Sequence, residues 1–270
     1  MVNLLVAAAL AAATPAVAPP APPTEPAMFV VRDADTTVYI FGTFHALDSK
    51  THWLSDDVRN AFEQSNELVL ETLIPEGPMV PGRPGLPIRA PTVTPSASFL
   101  ATTRMAIDAG QSQGMQVDKG ADMVLRHIAE QEGKPVEGLE TLEFQLNMFN
   151  SLPPAPKPVV THAALVRRPG EPAAEAPMQS LSRTMTDMES AWKRGDQSVF
   201  VQMLGQLKQA SPDTYRLMFT ERNARWADWI AARMQTPGTV FIAVGAGHLA
   251  GQDSVLVRLA EKGLASQRVY

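Results

Sequence analysis

The sequence predicts an α/β fold with one mixed sheet, built from strands at the two ends of the chain around a helical middle section. Short apolar runs rich in β-branched residues occur near both ends, whereas apolar residues between them recur at helical spacing. Two of these runs lead into the same Gly-x-x-His motif, at Gly42–His45 and again at Gly245–His248. The 270 residues are enough for a single large domain with a sizeable core.

The N-terminal block is predicted to contain a β-hairpin, a helix and a further strand. Met28–Arg32 and Thr37–Thr43 are β-branched and aromatic runs separated by a short Asp-Ala-Asp turn. Ser55 can cap a helix that continues to about Ser65, because two aspartates occupy its first turn. Glu67–Thr72 is the next predicted strand.

The middle section is predicted to be mainly helical. Its helices are expected at Ser98–Gly110, Gly120–Glu132, Thr141–Leu152, Met178–Arg194 and Gln197–Ala210, with one strand at Pro135–Leu139. Glycines at Gly110 and Gly133 are expected to stop the first two helices. Pro212 then opens a shorter helix that leads into the amphipathic segment ERNARWADWIAARM.

The C-terminal block is predicted to return to the sheet. It comprises a strand at Thr239–Val244, a glycine-rich loop with a histidine, a helix at Ser254–Lys262 and a last strand at Ser266–Tyr270. Strands distant in sequence can complete one sheet. We therefore expect both Gly-x-x-His loops at the same edge of the sheet, where open α/β sheets bind ligands.

Composition excludes several classes of function. The net charge is -5 without a long basic run, so we expect no nucleic-acid partner. Cysteine is absent, which excludes disulfides, cysteine-ligated zinc and a thiol nucleophile. The chain also lacks a Gly-x-Ser-x-Gly elbow, a P-loop, a dinucleotide fingerprint and a His-Glu-x-x-His helix.

The N-terminus and the prolines divide the chain. Residues 1–26 are predicted to be a signal peptide and a proline-rich tether, since Leu4–Ala13 is apolar but too short to span a bilayer. The protein would then be exported; the alternative is a disordered Ala/Pro tail on a cytosolic protein. Residues 27–270 would form one domain, interrupted by irregular proline-rich loops at Pro75–Pro95 and Pro153–Pro177 and without a stable membrane span.

The paired histidines indicate a site for a divalent metal. His45 and His248 each follow an apolar strand and a glycine turn, and two imidazoles with one carboxylate can bind a metal while leaving positions open. Glu71 is the natural carboxylate: it ends a predicted strand among apolar neighbours, so its charge needs a metal or a counter-charge. We expect Gly245 or Gly247 to adopt a positive φ or to press against the site.

The remaining candidates are less closely tied to this site. Arg222 opens an apolar helix, and it either binds an anion in the cleft or forms a structural ion pair. The other three histidines, His52, His127 and His162, do not follow a strand and a glycine turn. The tryptophans of RNARWADWI are expected in the core.

Five segments together resemble the TraB/GumN family, which includes PrgY and the animal Tiki proteins. They are VYIFGTFHALD, ELVLET, GKPVEGLETLEFQL, ERNARWADWI and FIAVGAGHLAG, in the family's order. The resemblance implies that His45, Glu71, Arg222 and His248 are the active-site residues. It also implies a fold related to erythromycin esterase, the haem-binding ChaN proteins and the Tiki metallopeptidases, and export in bacterial members.

Together, the residues and the resemblance predict an exported metal-dependent hydrolase that acts on a peptide or amide bond. Mn, Co or Zn would be bound by His45, Glu71 and His248, with Glu71 a ligand or the general base. Arg222 would stabilise negative charge on the reacting carbonyl. Two alternatives stay open: an esterase-like hydrolase without metal, in which a histidine and Glu71 activate water, and a non-enzymatic protein that binds haem or a peptide.

Overall fold

A mixed sheet lies at the centre of the structure, a computed structural model that describes residues 25–73, 97–153 and 177–269. Within these ranges the sheet has six strands: β1 (Met28–Arg32), β2 (Thr36–Thr43), β3 (Glu67–Thr72), β4 (Val136–Glu140), β5 (Gly238–Gly245) and β6 (Gln267–Arg268). Their order is β4-β3-β5-β2-β1-β6. The first four strands in this order run parallel, and β1 is antiparallel to both of its neighbours. The predicted α/β fold with a mixed sheet is confirmed.

Helices flank the sheet and fill the middle of the chain. They are α1 (Asp56–Glu63), α2 (Ala97–Gln111), α3 (Ala121–Glu132), α4 (Leu142–Ser151), α5 (Pro177–Lys193), α6 (Ser198–Ala210), α7 (Pro212–Tyr215), α8 (Glu221–Arg233) and α9 (Val255–Glu261). Short 3-10 turns lie at Val117–Lys119 and Ala246–Leu249. Ser55 caps α1 as predicted, its side chain accepting the Val58 N–H.

Alternating side chains of the central strands build two cores, one on each face of the sheet. On β5, Phe241 and Ala243 pack with residues of α1, α3, α5 and α6. Val240 and Ile242 point to the opposite face and pack with α8 and α9. Because both faces are covered, the central strands β2, β3 and β5 are apolar along their middle, which leaves the ends of the strands as the place for polar groups.

One predicted helix end is wrong. Helix α2 continues through Gly110 to Gln111 and is followed by a turn in which Gly114 has a φ of +81°. Gly110 instead provides a close contact, since a Cβ atom there would lie 3.1 Å from the Met185 Cε atom. At the end of α3, Gly133 has a φ of +68° and does stop the helix as predicted.

The proline-rich segments lie largely beyond the described residues. The predicted loop at Pro75–Pro95 falls wholly outside them, as does the apolar run of the predicted signal peptide. Of the second loop only the ends are described: Pro153 follows α4, and Pro177 is the first residue of α5. Among the described helices, none combines the length and apolar character needed to span a bilayer.

Candidate active site

The two Gly-x-x-His motifs emerge side by side at the carboxyl edge of the parallel strands. β2 and β5 are adjacent and in register, with Thr43 opposite Gly245. The chain therefore places His45 and His248 just beyond neighbouring strand ends. Glu71 lies near the end of β3, which pairs with β5 on its other side. The structure thus brings together the three residues that the sequence predicted to share one edge.

The Glu71 carboxylate lies between the two imidazoles. Its Oε1 atom accepts the backbone N–H of Gly245 at 2.7 Å. The same oxygen lies 3.9 Å from His45 Nε2 and 3.8 Å from His248 Nε2. Burial alone would raise the pKa of Glu71, but the imidazoles, the Arg222 guanidinium and the Gly245 N–H outweigh burial and hold that pKa well below its usual range. Glu71 is therefore ionised at neutral pH.

Arg222 is buried, with 3% exposure, and bridges two carboxylates. Its Nη2 atom lies 2.6 Å from Glu71 Oε2, and its Nε atom lies 2.9 Å from Glu140 Oε2. Its Nη1 atom lies 3.3 Å from His248 Nε2. Of the two roles left open by the sequence, the ion pair is the one observed. Because each carboxylate is bonded to the guanidinium, the pair also fixes the orientation of Glu71.

A π-helical turn at Arg216–Thr220 joins α7 to α8 and positions this arginine. The sequence predicted a short helix after Pro212 but not this turn. Such turns are rare and are frequent at functional sites. Here the turn places Phe219 against the His248 ring, with 4.9 Å between ring centroids, and Arg222 is the second residue of the helix that follows.

His248 is buried and held in one tautomer. Asn223 donates from Nδ2 to the Asp253 carbonyl at 2.7 Å, so its Oδ1 atom faces His248 Nδ1 at 2.6 Å. An amide oxygen only accepts, and Nδ1 therefore carries the proton while Nε2 keeps its lone pair. Burial, chiefly, lowers the pKa of His248 to about 3, with the Arg222 charge acting in the same direction. The imidazole is neutral at physiological pH.

His45 is the accessible partner, since its side chain is 57% exposed. Its Nδ1 atom lies 3.3 Å from Asp122 Oδ1, at the start of α3. Although the ring is exposed on one side, the protein atoms around it desolvate its charged form and lower the pKa of His45; the charges of Asp122 and Glu71 outweigh this effect and raise it to about 9. The two imidazoles at this edge thus differ in charge as well as in exposure.

These groups form one end of a large cavity. The cavity has a volume of about 940 Å³, near the top of the range typical of small-molecule sites. It extends from the strand ends to α2, α5 and α6, and its wall includes Ile107, Met185, Met188, Met203 and Leu207. The reactive groups therefore face an apolar chamber.

The sequence did not predict three of the residues that hold the site together. Glu140 is the last residue of β4, but the predicted strand stopped at Leu139. The sequence did contain an indication of its role, because Glu140 ends a strand much as Glu71 does. In the sheet Glu140 pairs with Thr72. Asn223 follows Arg222 directly on α8, whereas nothing in the sequence marks Asp122.

The glycine-rich loop approaches the site closely, as predicted, but without a positive φ. Gly245 has a φ of −53°, and neither it nor Gly247 is among the positive-φ residues. A Cβ atom on Gly245 would lie 3.0 Å from His45 Nε2 and 3.1 Å from Glu71 Oε1. Glycine is required here because a Cβ atom would crowd the site, and not because of the backbone angle.

The residues that the sequence set apart lie outside the cluster. His52 is exposed in a loop and His127 lies on α3, while His162 falls outside the described residues. Trp226 is buried in the core as predicted. Its ring also packs 4.4 Å from that of His248, so the core supports the site directly.

His45, Glu71 and His248 are residue types that bind divalent ions, but their side chains are farther apart than the ligands of one ion. Each imidazole has its Nδ1 atom beside an oxygen, of Asp122 or of Asn223, and turns Nε2 toward Glu71, an arrangement typical of metal-binding histidines. Ligands of one Zn ion lie roughly 3.0–3.5 Å apart, so both Glu71 distances would have to shorten. As the side chains stand, no three His, Asp or Glu residues within the described ranges are spaced to bind an ion.

Comparison with known proteins gives a family. Neither the curated proteins nor the solved structures contain a match to the chain. The sequence model of the TraB/PrgY/gumN family matches residues 27–80 and 82–268, which include all four residues predicted for the site. With both Gly-x-x-His motifs inside that match and at one sheet edge, the chain belongs to the TraB/PrgY/gumN family.

Proposed function

We propose that this protein is a metal-dependent hydrolase that cleaves a peptide or amide bond. One observation carries the proposal: a single oxygen of Glu71 faces the Nε2 atoms of His45 and His248 at the end of an apolar cavity. Two imidazoles and one carboxylate are the ligand types of catalytic metal sites that keep a position open for substrate.

In this proposal His45, Glu71 and His248 hold Mn, Co or Zn. A divalent ion at this edge supplies Lewis-acid polarisation of the substrate carbonyl. Asn223 keeps the proton on Nδ1, so that His248 Nε2 retains the lone pair that a metal would need; in the structure Arg222 Nη1 faces that atom at 3.3 Å and would have to yield it to the ion. The Gly245 N–H donates to Glu71 Oε1 and so helps to fix the carboxylate.

Arg222 acts as a positioning residue in this scheme. Its bonds to Glu71 and Glu140 occupy its Nη2 and Nε atoms. Its positive charge nevertheless lies at the cavity wall in a poorly solvated place, where it favours negative charge on a reacting carbonyl oxygen. The apolar wall around the carbonyl excludes water other than the molecule that reacts.

A metal-independent esterase is the second candidate, and the position of Arg222 favours it. The guanidinium already neutralises Glu71 and touches His248, so the cluster is charge-compensated without an ion. His45 is accessible and lies 3.9 Å from Glu71; once its own proton is lost, it could accept a proton from a water molecule that attacks an ester or lactone, with Glu71 positioning the ring.

Metal analysis of the full-length protein after exhaustive dialysis tests the proposal. The wild type, His45→Ala and His248→Ala are compared, with His52→Ala as a control because that histidine is exposed outside the site. Turnover of amide and ester substrates is then measured with and without added Mn, Co or Zn. Stoichiometric metal that is lost in both site variants, together with metal-dependent amide cleavage, is the expected result.

Two other results would replace the proposal. Ester turnover by metal-free protein, unchanged by chelator, would select the second candidate. A Soret band after addition of haem, without any turnover, would indicate a haem-binding protein. Equal loss of metal in His52→Ala and the site variants would show that the bound metal is unspecific.

Two further parts of the proposal concern export of the protein and the relationship of its fold to other families. We propose that residues 1–26 direct the protein out of the cytoplasm, which N-terminal sequencing of the mature protein would test. The relationship to erythromycin esterase, ChaN and Tiki proteins rests on the family resemblance, and an experimental structure would test it.

A further inference from the structure

The cavity beyond the site has a sharply divided character. All of the charged or titratable residues that line it in the described part of the chain, His45, Glu71, Arg222 and His248, lie at the strand end. The remaining wall is formed mainly by aliphatic, aromatic and methionine side chains from α2, α5, α6 and the turn before α8. A ligand that fills this space therefore has one polar end and an apolar body.

The wall offers little to a peptide backbone. Besides the reactive end, its polar side chains in the described ranges are Thr103, Gln111, Ser211 and Thr214. Two of these, Ser211 and Thr214, already bond each other at 2.7 Å. An extended peptide would bring an N–H and a C=O per residue into this space, and each buried polar group without a partner is unfavourable. A hydrocarbon chain brings none.

Methionines make the wall adaptable. Met185 and Met188 on α5 and Met203 on α6 are half-buried and line the cavity. An unbranched thioether side chain has three rotatable bonds and fills irregular space, so surfaces rich in methionine accept flexible apolar ligands. The wall suits a flexible chain better than a rigid ring of fixed shape.

We propose that the cavity binds the acyl chain of a medium- or long-chain fatty-acyl amide or ester, with its carbonyl carbon at the His45, Glu71 and His248 end. The inference rests on the proposed hydrolase function and names its substrate class. In the reaction, water adds to the carbonyl carbon and the C–N or C–O bond breaks. A fatty acid leaves, and the proton of water goes to the departing amine or alcohol.

Binding is tested separately from catalysis. The full-length protein is titrated with the fluorescent fatty acid cis-parinaric acid, which saturated C8, C12 and C16 acids then displace. Affinity should rise with chain length by up to about fourfold for each further buried CH2 group. His248→Ala, which removes a catalytic group, should still bind the probe.

Wall variants locate the chain. Met203→Glu places a charge on the wall and should weaken probe binding at least tenfold, whereas Val201→Glu, on an exposed position of the same helix, should change it less than twofold. Ala106→Trp narrows the cavity from α2 without adding charge and should weaken C16 more than C8. Thermal melting verifies that each variant folds. If Met203→Glu does not fold, the chain-length dependence in Ala106→Trp tests the acyl cavity instead.

Hydrolysis of acyl p-nitroanilides and acyl p-nitrophenyl esters from C2 to C16 completes the test. Longer chains should lower KM, and Ala106→Trp should reverse that trend. If the protein binds the probe but cleaves no substrate of any chain length, the acyl-binding inference stands and the proposed hydrolase function is contradicted. Cleavage of the C2 substrate as efficiently as C16, with no probe binding, would overturn the acyl inference while the hydrolase stands.

Discussion

His248 donates its Nδ1 proton to Asn223 Oδ1 at 2.6 Å, and this bond decides which ring nitrogen faces Glu71. Asn223 is itself fixed, because its Nδ2 atom donates to the carbonyl oxygen of Asp253. The site therefore depends on a residue that need not contact a substrate. Its effect should be visible in the tautomer of His248 as well as in activity.

Asn223→Ala should lower metal affinity or turnover about 10- to 100-fold, the usual effect of losing the partner behind a ligating histidine. Asn223→Asp keeps an oxygen toward Nδ1 and should keep the tautomer. The measurement is imidazole ¹⁵N NMR together with turnover. An unchanged Nδ1–H tautomer in the alanine variant would show that Asn223 does not set the orientation of His248.

Glu140→Ala should destabilise the fold by about 3–5 kcal/mol, because it removes one partner of a buried ion pair and leaves the Arg222 charge undercompensated. Glu137→Ala is the control, since Glu137 is exposed on the same strand and should change stability by about 0.5 kcal/mol or less. Urea unfolding measures both. Similar values for the two variants would mean that the Glu140–Arg222 pair contributes little.

Gly245→Ala should reduce turnover about tenfold or more with little loss of stability. The added methyl group would lie 3.0 Å from His45 Nε2 and 3.1 Å from Glu71 Oε1, and misplacement of catalytic groups by ~1 Å costs roughly a hundredfold. Gly247→Ala is the matched control, because its methyl group would meet only the Phe219 ring edge, at 3.3 Å. Comparing kcat and urea midpoints tests this; a larger loss of activity in Gly247→Ala would contradict the contact argument.

The sequence alone predicted the scaffold of the site well. The residues of β3 and the strands that precede the two histidines, β2 and β5, follow from apolar runs of strand length bounded by turns, which are local signals. Two glycine turns after such strands then locate His45 and His248. These residues lie on segments whose own sequence specifies their structure, so no tertiary information was needed.

The partners of these residues could not be predicted in the same way. Arg222 meets Glu140 across 82 residues and Glu71 across 151, and neither pair leaves a local pattern in the sequence. Arg222 reaches them because the π-helical turn precedes α8, a rare feature that propensities do not reveal. The exposure of His45 and the burial of His248 likewise depend on tertiary packing.

Asp253→Asn should remove a pH-dependent part of the stability, worth about 1–3 kcal/mol at neutral pH. Burial opposes the charge of Asp253, yet Lys208 and Tyr215, with bonds of 2.9 and 3.0 Å, and the nearby Arg258 lower the pKa of this carboxyl. Because the pKa of Asp253 is lower in the folded than in the unfolded protein, its charge stabilises the fold at any pH above the unfolded pKa. This stabilisation is lost as the pH falls through the folded pKa. The gap between wild type and variant should therefore be full at pH 7 and shrink below about pH 4.

Urea unfolding at pH 7 and pH 3 measures this dependence. Asp187→Asn, at an exposed position on α5, is the control and should differ little from wild type at either pH. A gap between Asp253→Asn and wild type that stays constant over this range would show that the bonds, and not the charge, stabilise the fold.

The two histidines should separate stability from activity. His45→Ala removes an exposed ring whose attraction to Asp122 is screened by solvent, and it should change the free energy of unfolding by about 1 kcal/mol or less. His248→Ala removes a ring that packs on Trp226 and leaves the Asn223 oxygen without its donor, so it should cost about 1–3 kcal/mol.

Both variants should nevertheless lose turnover about a hundredfold or more, because each removes one of the two imidazoles that face Glu71. Urea unfolding and kcat on the same preparations measure the two effects. If His45→Ala unfolds as easily as His248→Ala, His45 has a structural role that its exposure does not indicate. If His248→Ala keeps full turnover, the buried imidazole belongs to the core and the active site must be built around His45 and Glu71 alone.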